Sequence, residues 1–66
     1  GADVNVQNKS GWTALMCGGY NGSLQTVKLL IHARADAGLI NDEGQTAYDL
    51  AVSENHTDVA MFLAFE

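Results

Sequence analysis

The chain has 66 residues, of which 47% are hydrophobic and 17% charged, and eight acids against three bases give a formal net charge of −5. This length supports at most one small domain, the single cysteine excludes an internal disulfide, and no Cys/His cluster has the spacing of a zinc site. The acidic balance argues against a nucleic-acid or anionic-lipid surface, both of which need clustered Lys and Arg, and no apolar run is long enough for a transmembrane helix.

The first five residues, GADVN, are more typical of the end of a structural unit than of its start. The chain also begins without Met. We therefore expect it to be a segment of a longer protein.

The first helix is predicted to begin after Thr13 and to end near Asn21 and Gly22. Thr13 is suited to cap the N-terminus, and Gly22 to end the helix in the left-handed conformation. Gly18 and Gly19 each cost a helix roughly 1 kcal/mol relative to Ala. Either another backbone comes close to this pair, or the helix is weak and frayed.

A second helix is predicted over residues 24–33, with Ser23 as its N-cap. Lys28 and His32 fall on its solvated side. One apolar face recurs at helical spacing and consists of Leu24, Val27, Leu30 and Ile31.

The second half of the chain repeats this plan. Residues 34–43 are polar, and the segment NDEG is a turn signal. Thr46 and Asp49 then have capping-box spacing for a third helix that stops near Asn55. A fourth helix is predicted over residues 57–65, with Val59, Phe62 and Leu63 facing inward. No stretch has the period-2 alternation of a strand.

The two halves are related by a period of 33 residues. Residues 8–14 (NKSGWTA) and 41–47 (NDEGQTA) share Asn, Gly, Thr and Ala at matching positions, and Val27 falls on Ala60 in the same phase. A fixed period of this length is typical of stacked supersecondary units, of which about three are needed for good stability. We therefore expect marginal stability, and a binding function instead of catalysis.

These features resemble the ankyrin repeat. That family combines a Gly-x-Thr-Pro-Leu-His-x-Ala core, a Gly after the first helix, a Val-x-x-Leu-Leu second helix and a Gly-Ala-Asp-Val-Asn loop. Here residues 11–16 (GWTALM) and 44–51 (GQTAYDLA) match the core, and residues 1–5 match the loop. The resemblance implies an all-α solenoid segment of stacked helix-turn-helix pairs joined by β-turn loops. Its implied parts are residues 1–7, the tail of a preceding repeat; residues 8–40, one repeat; and residues 41–66, a repeat lacking its final loop.

The chain departs from the family pattern at several positions. Ala14 and Ala47 stand in place of the family's Pro, and Met16 and Asp49 in place of its His. Because that His links neighbouring turns by hydrogen bonds, its loss is expected to weaken the coupling between repeats. Arg34 stands where the family usually has a Gly with positive φ.

Enzymatic interpretations find little support in the residues. His32 and His56 lie in different repeats, and neither belongs to an obvious acid–nucleophile set. Cys17 lies inside the first predicted helix, where we expect it to be a buried packing residue and not a nucleophile. The loop acids lack the spacing of a calcium motif. We predict no catalytic site, no cofactor and no metal.

The resemblance implies that the turn tips and the ends of the first helices form a concave binding surface. Trp12 follows the turn glycine, and Tyr20 lies late on the first helix. Large aromatic residues in such places are enriched as interface anchors; the alternative for Trp12 is packing on the next turn. We predict a strip that binds a protein or peptide with basic and apolar groups, formed by Lys9, Ser10, Trp12, Tyr20, Asn21, Asp42, Glu43, Gln45, Ser53 and Glu54.

Other interpretations remain open. The chain is alternatively a capping or spacer segment of a longer array, or a regulatory segment of a multidomain enzyme. Met61 and Phe65 are partly turned away from the expected core, which indicates either a missing following repeat or self-association. The lone Cys17 favours an intracellular location, cytoplasmic or nuclear. Asn5 resembles the asparagine that is hydroxylated in some ankyrin proteins, although the upstream context is missing.

Overall fold

Four short helices and their connecting turns make up residues 4–65, the part of the chain that the computed structural model describes. The helices are α1 (Ala14–Asn21), α2 (Leu24–His32), α3 (Ala47–Ser53) and α4 (Thr57–Ala64). No strand occurs within this range, which confirms the all-α prediction, and none of the four helices is long and apolar enough to cross a membrane. Residues 1–3 of the predicted preceding tail, and residue 66, lie outside the described part.

The first helix of each pair begins at a threonine, as predicted. The Thr13 hydroxyl accepts a hydrogen bond from the Met16 amide at 3.2 Å, and the Thr46 hydroxyl accepts one from the Asp49 amide at 3.2 Å. The Asp49 carboxylate also accepts from the Thr46 amide at 3.1 Å, which completes the predicted capping box. Gly22 ends α1 at φ 73°, in the left-handed conformation expected of it.

Ser23 does not cap α2 through its side chain, and this prediction is wrong. Only two residues separate α1 from α2, so the Ser23 amide is already used to close α1, donating to the Gly18 carbonyl at 3.0 Å. That bond accompanies a ψ of 81° at Ser23, whereas the capping residue Thr13 has an extended ψ of 169°. After α2, Arg34 adopts φ 70°, the left-handed conformation that a Gly usually has at this position in the family that the chain resembles.

A single apolar core runs through both helix pairs. Val27 and Val59 are fully buried at its centre, while Leu24, Leu30 and Ile31 are half-buried against it. The remaining buried apolar residues lie on α1, α3 and α4: Leu15, Met16, Ala47, Leu50, Ala51, Ala60 and Leu63. This shared core explains how 66 residues of modest hydrophobicity hold four helices together.

The paired glycines of α1 allow the two helix pairs to come close. Both Gly18 and Gly19 are buried, and a methyl group added at Gly19 would lie 2.7 Å from the carbonyl oxygen of Ala47 at the start of α3. Of the two explanations left open by the sequence, close approach of another backbone is therefore the one that the structure supports. The helix tolerates its poor propensity here because Ala would not fit at Gly19 without movement of α3.

The expectation that Cys17 is buried is wrong, because its side chain is exposed. The period explains the difference. Leu50, its equivalent 33 residues later, is only 3% exposed because it lies against the first helix pair. Cys17 lies on the opposite side of α1 from that junction, where no part of the described chain covers it.

Candidate partner-binding surface

Each helix pair is preceded by one projecting turn, and the two turns have the same geometry. In the first, the Asn8 side-chain oxygen accepts from the amides of Ser10 at 2.9 Å and Trp12 at 3.0 Å. In the second, the Asn41 side-chain oxygen accepts from Glu43 at 2.9 Å and Gln45 at 3.0 Å. These bonds hold both turn tips in one conformation and account for the Asn that recurs after 33 residues.

Both turns also need their glycines. Gly11 has φ 81° and Gly44 has φ 76°, and each donates its amide to the carbonyl of the turn's Asn, at 2.9 and 3.0 Å. An L-residue with a side chain is strained in this conformation. At Gly11 space is short as well, since an added methyl group would lie 3.0 Å from the backbone of Asn41 and Asp42.

Direct hydrogen bonds join one turn to the next. The Asp42 amide donates to the Ser10 carbonyl at 3.0 Å. The side-chain nitrogen Nε2 of Gln7 donates to the Gly11 carbonyl at 2.9 Å and to the Ile40 carbonyl at 2.8 Å. The coupling expected of the missing His is therefore supplied here by a backbone bond and by the Gln7 side chain. No sequence motif pointed to Gln7.

Trp12 and Tyr20 form an aromatic pair beside the first turn. Their ring centroids are 5.5 Å apart and their planes meet at 77°, an edge-to-face arrangement. Trp12 is half-buried against the core, and Tyr20 is 43% exposed. Trp12 is therefore not fully wet, since it packs against the shared core and against Tyr20, and Tyr20 offers the larger open surface.

The remaining residues of the predicted strip are almost all accessible. Gln45 is half-buried, and its side-chain oxygen accepts from the Asn41 side-chain nitrogen at 3.1 Å. The others are exposed: Lys9, Ser10, Asn21, Asp42, Glu43, Ser53 and Glu54. The structure brings the tip residues together through the bond between the turns. Ser53 and Glu54 are the equivalents of Tyr20 and Asn21 in the next repeat.

The charges of this strip are unequal. Lys9 is its single cation, whereas Asp42, Glu43 and Glu54 supply three exposed carboxylates, all in the second repeat. Elsewhere, the ammonium group of Lys28 lies 5.8 Å from the ring centroid of Phe62, so that this cation contacts the neighbouring helix pair. The strip therefore combines aromatic surface at one end with negative charge at the other.

Within residues 4–65, no group of three or more His, Cys, Asp and Glu side chains has a geometry suited to a metal ion. His56 lies between the helix pairs instead, since a methyl group added at Gly22 would overlap its imidazole ring. It is half-buried there and precedes α4 as the N-cap residue. These contacts agree with a structural role for His56.

The family model for ankyrin repeats, described as "Ankyrin repeats (3 copies)", matches residues 1–66. The chain belongs to the ankyrin-repeat family. Ankyrin repeats are generally non-catalytic protein-interaction modules. The chain is similar to human ankyrin repeat domain-containing protein 37, with 43% identity over 63 residues that cover 96% of this chain and 40% of that protein.

The chain is also similar to an RNA hydrolase and to a chain in an endopeptidase–immunity protein complex. Human NAD-capped RNA hydrolase NUDT12 is 36% identical over 61 residues, which cover 92% of this chain and 13% of that protein. A chain in the structure of the predatory endopeptidase Bd0816 from Bdellovibrio bacteriovorus in complex with immunity protein Bd3460 is similar at 36% identity, with a TM-score of 0.93 over 96% of this chain and 33% of that chain. The ankyrin repeats described here thus span well under half of these relatives.

Proposed function

We propose that this ankyrin-repeat segment is a non-catalytic interaction module whose concave strip binds a protein or peptide carrying basic and apolar groups. The observation that carries the proposal is the arrangement of the Trp12–Tyr20 pair next to two hydrogen-bonded turns, with exposed acids on the second turn. Because the turns are fixed before a partner arrives, binding requires little loss of conformational entropy.

The aromatic end and the acidic end have separate roles in this proposal. Tyr20 supplies a flat apolar surface with a hydroxyl group, which suits an apolar side chain or the stem of a Lys or Arg. The carboxylates of Asp42, Glu43 and Glu54 attract basic groups and raise the association rate more than the affinity. Salt is therefore expected to slow association without abolishing the complex.

The test uses a peptide selected for binding to this chain from a random displayed library, with affinity then measured by calorimetry. Trp12→Ala and Tyr20→Ala should each weaken binding by about 1 kcal/mol or more, which is about a fivefold increase in Kd. Tyr48→Ala is the matched control, because Tyr48 is also 43% exposed but lies on α3, facing the far end of the stack.

The control separates loss of a contact from loss of folding. If Tyr20→Ala and Trp12→Ala bind as well as the parent chain while Tyr48→Ala binds less well, the strip is not the binding surface. Circular dichroism of each variant shows whether the four helices are retained. Asp42→Lys combined with Glu43→Lys should slow association at low salt, whereas Asp58→Lys on α4 should not.

Two further candidates have specific support. Similarity to a multidomain hydrolase favours a regulatory segment of an enzyme, and the uncovered apolar side of α3 and α4 favours a spacer within a longer array, or self-association through Met61 and Phe65. A spacer that contacts no partner would yield no selected peptide dependent on Tyr20. An intracellular location, cytoplasmic or nuclear, accompanies the proposal and is tested by imaging the tagged parent protein.

A further inference from the structure

The turn between α1 and α2 contains the one asparagine of this chain that a glycine follows. Asn21 is the last residue of α1 and is exposed, and Gly22 follows it at φ 73°. In such a pair the backbone nitrogen of the glycine can attack the side-chain carbonyl carbon of the asparagine with little hindrance, because glycine has no Cβ. The residues that follow the other asparagines all have side chains: Val6, Lys9, Asp42 and His56. Asn21 is therefore the asparagine at which this reaction meets the least steric hindrance.

The folded turn holds the attacking nitrogen away from this reaction. The Gly22 amide donates to the Gly19 carbonyl at 3.3 Å, and the Ser23 amide donates to the Gly18 carbonyl at 3.0 Å. Attack also requires the Gly22 nitrogen to be eclipsed with Cβ of Asn21 about the Cα–C bond, and a helical ψ of about −42° is roughly 80° from that arrangement. The reaction therefore requires the last turn of α1 to open.

The second helix pair helps to keep this turn closed. A methyl group added at Gly22 would lie 2.5 Å from Nδ1 of His56, so the imidazole ring of the second repeat lies directly against the backbone of the turn. His56 is half-buried in that position. Movement of Gly22 disturbs this contact, so opening of the turn is coupled to loosening of the junction between the helix pairs.

We propose that Asn21 is a site of spontaneous deamidation, which the closed turn protects and which reacts when the two helix pairs loosen. The Gly22 nitrogen loses its proton and forms a bond to Cγ of Asn21, the bond from Cγ to the side-chain nitrogen breaks, and ammonia leaves with the proton. Water then opens the resulting succinimide ring. Its attack on the Cγ carbonyl gives aspartate, and its attack on the backbone carbonyl of Asn21 gives isoaspartate. Each conversion consumes one water molecule and releases one ammonia molecule.

Either product remains after the turn closes again. Both add a carboxylate at the C-terminal end of α1, where the helix dipole disfavours negative charge. Isoaspartate also inserts an additional carbon into the backbone before Gly22, which displaces the amide that donates to Gly19 and the backbone that contacts His56. A transient loosening of the helix pairs is thus converted into a permanent weakening of the turn. This proposal does not depend on partner binding by the concave strip.

The experiment measures deamidation of the 66-residue chain at mildly alkaline pH, once in buffer and once in urea. Trypsin releases residues 10–28, in which Asn21 is the single asparagine, and residues 35–66, which contain Asn41 and Asn55. Mass spectrometry gives the converted fraction of each peptide, and enzymatic methylation identifies isoaspartate. Asn21→Gln is the control for the site, because ring closure from glutamine requires a larger ring that forms more slowly.

In urea, residues 10–28 should convert several times faster than residues 35–66, and equal rates would overturn the assignment of Asn21 as the reactive site. In the folded chain, conversion at Asn21 should be at least about tenfold slower than in urea, because only molecules with an open turn react. Equal rates in buffer and in urea, with the four helices retained by circular dichroism, would overturn protection by the turn.

Two histidine variants test the coupling to the helix-pair junction. His56→Ala should accelerate conversion in the folded chain and leave the rate in urea unchanged, whereas His32→Ala should change neither, because His32 is exposed on α2. If circular dichroism shows that His56→Ala has lost its helices, His56→Gln takes its place. An unchanged folded-state rate in the His56 variant would overturn the coupling. The isolated isoaspartate product should have a lower Tm than the Asn21→Asp variant, and equal Tm values would overturn the permanent weakening by the additional backbone carbon.

Discussion

Alanine substitutions at the two adjacent glycines of α1 should differ in their effects on stability, and only the substitution at Gly19 should destabilise the chain. Each substitution gains roughly 1 kcal/mol in helix propensity. At Gly18 the added methyl group would lie 3.1 Å from the terminal Cγ2 of Val27, a side-chain atom. A shift of a few tenths of an ångström relieves this contact, so Gly18→Ala should be neutral or stabilise the chain by up to about 1 kcal/mol.

At Gly19 the same methyl group would meet the Ala47 carbonyl oxygen at 2.7 Å. Relief requires α3 to move away from α1, and overpacking of this kind costs about 1–3 kcal/mol. The upper part of that range applies because the obstacle is backbone, which leaves Gly19→Ala about 1–2 kcal/mol less stable than the parent chain after the gain in propensity.

The pair of variants is a matched comparison, since both change one glycine of the same helix by one methyl group. The two variants should differ in stability by about 1–3 kcal/mol. Thermal unfolding followed by circular dichroism should therefore place their Tm values about 4–24 °C apart, with Gly18→Ala higher, because 1 kcal/mol corresponds to about 4–8 °C in a domain of this size. If Gly19→Ala were as stable as Gly18→Ala, the inference that α1 and α3 are held together by close backbone contact at Gly19 would be wrong.

Three further predictions concern other parts of the chain. Thr46→Ala should cost about 1 kcal/mol in urea unfolding, whereas Ser23→Ala should cost almost nothing because Ser23 makes no side-chain cap bond; equal losses would contradict these assignments. Arg34→Gly should stabilise the chain by up to about 1 kcal/mol, because Arg34 has φ 70° and the left-handed conformation costs a residue with a Cβ roughly 1–2 kcal/mol. Part of this gain is offset by the larger backbone entropy that glycine loses on folding. A loss of stability would show instead that the Arg34 side chain makes a stabilising contact. Cys17 should react with a thiol reagent in the folded chain nearly as fast as in urea at the same pH, because it is exposed, and strong protection would place it in an interface.

Local sequence signals were sufficient for the helices. The threonine caps, the left-handed Gly22 and the helical spacing around Val27 each depend on residues within one or two turns of one another, and all are present in the structure. Ser23 failed because its backbone, which also closes the preceding helix, has a ψ of 81° and not the extended ψ of the capping Thr13. Whether a residue between two helices caps the second one cannot be predicted from its residue type alone.

Features that depend on contacts between repeats were harder to predict. The bridging bonds of Gln7 depend on how close Ile40, which is 33 residues away, lies to the first turn. No local sequence pattern indicates that distance. Leu50 and Cys17 are equivalent positions, but only Leu50 is buried. The exposure of Cys17 could have been predicted from the period, because no preceding helix pair lies against α1 in the described part of the chain. The Asn shared by the two turns was visible in the period, although its hydrogen bonds from the amides of Ser10 and Trp12 depend on the folded turn.

The most direct measurement of the proposed interaction is an NMR titration of the labelled chain with the library-selected basic peptide. The strip predicts that the largest amide shifts occur at the turn tips and at the ends of α1 and α3, with Tyr20 and Glu54 among the most affected. Residues on the outer side of α2 and at the end of α4, such as Leu29 and Phe65, should change little, although both are well exposed. Largest shifts at Leu29 or Phe65, with Tyr20 and Glu54 unaffected, would contradict the assignment of the concave strip as the binding surface.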